Sequence, residues 1–247
     1  PLPEAKRTLR VTYRDIHSAA AAVAAVMAQP ITPCALEFMD AAAIDMVRRF
    51  SDLGVSDDTG ALLMIEVDGP ENCVDAAAAA VGAAARNDGL LELTVAADKD
   101  EIAALWRTRK ALSPALRHVA PKKINEDVVV PVARIATFID GLERLSREHA
   151  ITIVNFGHAG NGNIHVNLLV NPDDPDEMAR AGICLSAVFD LVVALGGTLS
   201  GEHGVGLEKR DFIDRELDPV ALDLMRAIKR QFDPNGILNP GKGLPLV

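Results

Sequence analysis

Between Thr8 and Leu116 the chain alternates four short β-branched or apolar runs with four helical stretches, which restricts it to layered folds of sheet and helix. Thr8 to Tyr13 reads as a strand, and His17 to Gln29 as a helix with Ala and Val recurring at three and four. A Pro-punctuated turn leads to a second strand, Ala35 to Met39, after which Asp40 is placed to cap a helix to about Phe50. Ala61 to Val67 reads as strand, Asn72 to Arg86 as helix, Leu91 to Val95 as strand and Asp98 to Leu116 as helix. That order fits either a parallel α/β sheet or an α+β split sheet of ferredoxin-like type.

The second half changes character. Polar Pro121 to Glu126 leads into a short strand, Asp127 to Pro131, and then a helix to His149. Ile151 to Phe156 and Ile164 to Val170 are two apolar strands close enough in sequence to form a hairpin. Asp176 and Glu177 suit the first turn of a helix to about Leu195, and a last helix is expected from Pro219 to Phe232 before a Pro/Gly-rich tail. Between these helices lies a cluster of glycines at 196, 197, 201, 204 and 206, a density that implies close backbone approach.

Several function classes are excluded by composition. Hydrophobic residues at 49% and charged residues at 24% are ordinary globular usage, so the chain is expected to fold. Twenty-five basic against 35 acidic residues, net −10, together with only 4% aromatics, remove both the charge and the stacking platforms of a nucleic-acid binder. Cys34, Cys73 and Cys184 are far apart and form no zinc-finger spacing, so buried free thiols in a reducing, cytoplasmic setting are expected. Apolar stretches such as Ala19 to Met27 fall short of the ~20 residues of a spanning helix. The opening Pro-Leu-Pro-Glu-Ala lacks an initiator Met, and the chain is read as a piece of a longer or processed protein.

The hairpin carries the chemistry. With Asn161-Gly162 as a two-residue turn, Gly160 pairs with Asn163 and His158 stands directly opposite His165. Cross-strand Cβ atoms are then roughly 4.5–5.5 Å apart, near enough for two imidazoles to share a metal ion or to hydrogen-bond to each other without one. Period 2 adds Phe156 and Asn167 to the same face and sends Ile151, Ile153, Ile164, Val166 and Leu168 to the other. A third ligand is sought in Glu202-His203 of the glycine cluster; one of the pair suffices, which leaves the other free as a base. Gly157-His-Ala-Gly-Asn-Gly is not a dinucleotide loop, because it leads into a strand and its glycine order is reversed. Arg107 and Arg109 cannot face the same way on one helix, and Arg109 is the candidate anion clamp.

Three segments together, Gly157 to Asn167, Gly197 to Gly206 and Phe232 to Lys242, resemble the C-terminal domain of FAD-linked oxidases. That group includes D-lactate dehydrogenase, the glycolate oxidase flavin subunit and D-2-hydroxyglutarate dehydrogenase. The resemblance covers essentially the whole chain and implies an α+β, ferredoxin-like domain with an enlarged antiparallel sheet covered by helices and a C-terminal helical segment. It implies a divalent metal, zinc foremost, on His158, His165 and Glu202, with His203 as the base. Arg109 and Ser113, one helical turn apart, resemble the family's carboxylate-binding pair; Asn167 is carried over as substrate-binding and Asn239 as cofactor-binding. Asn161 and Asn125 depart from the family pattern, standing where Asp is usual and where some members have Lys.

The function implied is oxidation of a small 2-hydroxy acid to a 2-keto acid, with FAD on an N-terminal domain preceding residue 1 and an electron acceptor that the sequence does not name. The chain alone is then expected to be inactive. Location is expected to be cytoplasmic, with peripheral membrane attachment and homodimerisation left open. Two rivals share the same residues: a metal-assisted hydrolase, and a small-acid-binding module without catalysis.

Overall fold

The computed structural model describes residues 2–49, 54–96 and 98–245; within the fourth helix the side chains at 108, 111, 113–115, 117 and 118 lie outside the described set. Seven strands form one sheet: β1 (Ala5–Tyr13), β2 (Ala35–Asp40), β3 (Ala61–Gly69), β4 (Leu90–Ala96), β5 (Lys122–Val129), β6 (Thr152–His158) and β7 (Asn163–Val170). Their order is β4-β1-β3-β2-β6-β7-β5, and every ladder is antiparallel. The first four strands thus make the split ferredoxin-like sheet, and the second half enlarges it from the β2 edge.

One face is covered by α1 (Ile16–Ala28), α3 (Glu71–Ala84), α5 (Ile135–His149) and α6 (Pro175–Ala194). Their apolar stripes meet Leu9, Val11, Phe38, Leu63, Ile65, Ile153, Ile164, Val166 and Leu168 in the main core. Full burial of each such side chain contributes roughly 1.5–3 kcal/mol, so this face carries most of the driving force. The other face is only partly covered, by α2 (Ala41–Arg48) and α4 (Lys99–Val119), over a smaller cluster that includes Met39, Leu62, Met64, Val154 and Phe156. The histidine face is therefore not wholly polar: its apolar part lies under these two helices and its polar part stays open.

Local chemistry explains the boundaries. Asp40 caps α2 by accepting from Ala43 N at 2.7 Å, and its second oxygen accepts from Asn155 N at 3.0 Å and Nδ2 at 2.8 Å, tying the cap to β6. This helix is described through Arg48, and Phe50 lies outside the described residues. Asp98 caps α4, and Asp174 caps α6 with Pro175 at its first position. The last helix, α7 (Pro219–Phe232), starts from an Asp218 cap, as its Asp-Pro pair predicts.

Three readings are corrected. The hairpin closes through four residues, a 3-10 turn Ala159–Asn161 followed by Gly162, so Phe156 faces His165 and His158 faces Asn163. His158 is diagonal to His165 rather than opposite. Gly162, at φ +78°, sits where a Cβ would lie 1.9 Å from Val130 O, so it serves a close approach to the loop after β5 as well as the turn. Strand β5 begins at Lys122, not Asp127, because it pairs with β7 along its whole length. It is the edge strand, and an exposed edge tolerates the Lys and Asn that made this segment read as loop. The expected burial of the thiols is met at Cys184 but not at Cys34 and Cys73, which are exposed.

Candidate active site

The open part of the second face is built from two cross-strand rows. One runs Glu37, His158, Asn163 across β2, β6 and β7; the next runs Met39, Phe156, His165, Asp127 across β2, β6, β7 and β5. The glycine-rich segment 196–209 folds over these rows. Gly201 permits it: a Cβ there would stand 2.6 Å from Asn163 Nδ2. Asp127, completely buried, anchors the loop by accepting from the backbone N–H groups of Glu202 and His203, the latter at 2.9 Å.

The predicted cluster assembles. His165 Nε2 lies 3.6 Å and His158 Nε2 3.9 Å from Glu202 Oε1, and the three ligand atoms are within 4.8 Å of one another. Three N/O ligands at about 2.0–2.1 Å from a tetrahedral ion would stand about 3.3 Å apart, which small side-chain rotations reach from here. One of the donors is kept unprotonated by its surroundings. Burial, followed by the charge of His158, lowers His165 to about 4, so near neutrality it keeps the lone pair a metal requires. The rings of His158 and His165 meet edge to face at 5.3 Å, and His203 stacks on His165 at 5.8 Å.

His203 itself is held apart from the cluster: its Nδ1 lies 3.3 Å from Asp127 Oδ1. Asp127 also takes Lys209, whose Nζ is buried, donates to Asp127 O at 2.8 Å and lies 3.5 Å from Glu126. Burial pushes Asp127 up, but Lys209 and the two backbone N–H groups outweigh it and bring the carboxyl down to about 2. Burial leaves Glu126 above its ordinary range.

Arg109 stands on the rim, one guanidinium plane over Phe156 at 4.7 Å from its centroid, with Nε donating to Glu37 Oε2 at 2.9 Å. Its two terminal amino groups have no partner among the described residues. Arg107 is exposed on another side of α4. The side chain of Ser113 lies outside the described residues. Asn167 is not brought to the open cluster: fully buried, it donates to Val154 O at 2.9 Å and His165 O at 3.0 Å and accepts from Asn125 at 2.8 Å. Asn239 stands exposed in the tail. That tail folds back on the glycine loop through Gly243 N to Gly206 O at 2.8 Å and Arg210 Nη1 to Gly241 O at 2.7 Å.

Three charged residues of the site escape a reading by sequence: Glu37, Asp127 and Lys209. The available signal was weak but real, since Glu37 is a lone carboxylate inside the apolar run Ala35 to Met39. Burial pushes Glu37 up, while the hydrogen bond from His158 Nδ1 and the Arg109 charge overcome that and leave it below its ordinary value. The same bond raises His158.

A ferredoxin-like sheet enlarged to seven antiparallel strands, with a His2Glu cluster and an arginine on its open face, defines the class: the chain belongs to the family described as FAD linked oxidases, C-terminal domain, which matches residues 2–243. Among curated proteins it is 34% identical over 242 residues to the glycolate oxidase subunit GlcD of Bacillus subtilis (strain 168), covering 98% of this chain and 52% of that one. It is 32% identical over 254 residues to D-lactate dehydrogenase of Anaerostipes hadrus, covering 98% and 53%. Thus the chain spans about half the length of the curated relatives it matches. The fold is shared with p-cresol methylhydroxylase with substrate bound, at TM-score 0.77 and 15% identity over 99% of this chain and 54% of that one.

Proposed function

We propose that this chain is the substrate-side domain of an FAD-dependent dehydrogenase acting on a small 2-hydroxy acid. The observation that carries the reading is the convergence of His158, His165 and Glu202 beside a cationic rim residue, Arg109, and a third histidine, His203, that is held by Asp127 and not part of the cluster. Relatives at 32–34% identity that are named glycolate oxidase subunit and D-lactate dehydrogenase support a hydroxy acid as the substrate class.

In this reading Arg109 receives the substrate carboxylate on its free terminal amino groups, in the bidentate geometry that suits a guanidinium. His158, His165 and Glu202 would hold a divalent ion, zinc foremost, which would supply Lewis acidity to lower the pKa of the substrate hydroxyl. His203 takes that hydroxyl proton, its ring held by Asp127 so that the nitrogen away from the carboxylate is the acceptor. The Cα hydrogen would leave with its electron pair as hydride, for which FAD on a partner domain would supply the oxidant. The segment 196–209, pinned to Asp127 through the backbone N–H of His203 and the side chain of Lys209, keeps acceptor and ligand at fixed separation.

The flavin domain must cover part of this surface. On α7, Val220, Leu224, Ile228 and Phe232 recur at helical spacing and are 76%, 61%, 51% and 82% exposed, an apolar stripe that suits a protein neighbour. No helix among the described residues is long and apolar enough to cross a membrane. The test is anaerobic mixing of the full-length protein with glycolate, D-lactate and D-2-hydroxyglutarate while following flavin absorbance. Bleaching by at least one is expected; no bleaching by any 2-hydroxy acid, with ester or amide hydrolysis instead, would give the site to the hydrolase reading.

A further inference from the structure

We infer that Glu37 is a positioning residue, one buried carboxylate that sets both the tautomer of His158 and the reach of Arg109; this rests on the proposed reading of the site. Glu37 is 7% exposed on β2, directly across the β2–β6 ladder from His158. Its Oε1 meets His158 Nδ1 and its Oε2 accepts from Arg109 Nε at 2.9 Å, so both oxygens are committed.

The consequences follow from the donor inventory. An ionised carboxylate only accepts, so the imidazole nitrogen facing it must carry the hydrogen. Neutral His158 is thereby held as the Nδ1–H tautomer, and the lone pair of Nε2 is left pointing at Glu202 and His165. On the other side, the Nε bond and the Phe156 ring fix the guanidinium at two points, leaving its terminal amino pair as the free edge. Arg109 is 72 residues and His158 121 residues from Glu37 along the chain, so the carboxylate joins the substrate clamp to the ligand set through a single buried link. A merely structural ion pair would fasten α4 to the sheet without caring which imidazole nitrogen bears the proton.

Glu37→Gln separates these cases. The amide has one accepting and one donating end, and Arg109 can only donate, so the amide oxygen turns to Arg109 and the NH2 to His158 Nδ1. His158 must then switch to the Nε2–H tautomer and lose its ligand lone pair. Full-length protein labelled with 15N-histidine, stripped of metal at pH 9, reports the tautomer from two-bond ring correlations, with His158 assigned by loss of its signals in His158→Gln. The expected result is Nδ1–H in the parent protein, Nε2–H in Glu37→Gln, and a 10–100-fold weaker zinc affinity in competition with a chromophoric chelator. An Nε2–H tautomer in the parent protein overturns the inference without any variant, and so does Glu37→Gln binding zinc as tightly as the parent. A parent protein that binds no zinc would remove the metal reading, while the tautomer would still decide whether Glu37 orients His158.

Discussion

His203 Nδ1 lies 3.3 Å from Asp127 Oδ1, and the same carboxylate accepts the backbone N–H of His203, so ring and backbone of one residue are held by one buried acid. This double hold turns Nδ1 of His203 to the acid and keeps the ring stacked 5.8 Å from His165, outside the group formed by His158, His165 and Glu202.

A base and a ligand make different demands, which His203→Asn and Glu202→Gln separate. In the full-length enzyme His203→Asn is expected to keep its metal and lose flavin reduction by ~100-fold or more. Glu202→Gln is expected to lose metal as well as rate, measured by metal analysis beside stopped-flow absorbance. A metal-free His203→Asn beside a metal-filled Glu202→Gln would reverse the two roles.

Asp127 predicts a pH dependence of stability. Its folded value of about 2 lies below the unfolded value, so the unfolded chain binds the extra proton in between. The contribution is complete above about pH 4 and is lost as pH falls toward 2, on the order of 2 kcal/mol. Lys209→Met removes the main charge that lowers the carboxyl and leaves it buried without its ion pair. It should destabilise the neutral protein by about 3–5 kcal/mol and flatten this acid limb, as read by urea unfolding midpoints between pH 2 and 7. Parallel pH profiles for parent and variant would count against it.

Two glycines should respond differently to alanine. At Gly162 the added Cβ meets a backbone carbonyl at 1.9 Å in a left-handed conformation, so a loss of at least about 1–3 kcal/mol is expected in thermal unfolding. At Gly201 the nearest atoms belong to the Asn163 side chain, which can shift. Gly201→Ala should therefore fold but lift Glu202 away from His158 and His165, weakening metal retention more than stability. Equal thermal losses at both positions would contradict the contrast.

Arg109→Met should raise the KM for the hydroxy acid and lower kcat/KM by roughly 10–100-fold, the scale of a charge-assisted hydrogen-bond pair, with metal content unchanged. Steady-state kinetics with a dye acceptor measure it; an unaltered KM would show that the carboxylate is bound elsewhere.

The face assignments of the hairpin were legible because side chains alternate with period 2. Slipping the register from His158 opposite His165 to Phe156 opposite His165 moves the pairing by two residues and leaves each side chain on its face. The turn length was not legible, since Asn161-Gly162 satisfies both a two-residue turn and the last half of a four-residue one; contact with Val130 selects the longer. Strand β5 was cut short because edge strands relax the apolar pattern on which strand recognition depends.

The sequence by itself determined most elements and the strand faces, and it singled out His158, His165, Glu202, His203 and Arg109 as candidates, because periodicity, caps and the glycine-rich motifs are local in the chain. Only the tertiary structure decided that Glu37, Asp127 and Lys209 complete the site and that Asn167 is buried away from its open side. A buried charge is tolerated only where a partner reaches it, and for these residues the partners come from a helix, strands and a loop 72 to 121 positions away, a proximity that no local pattern encodes.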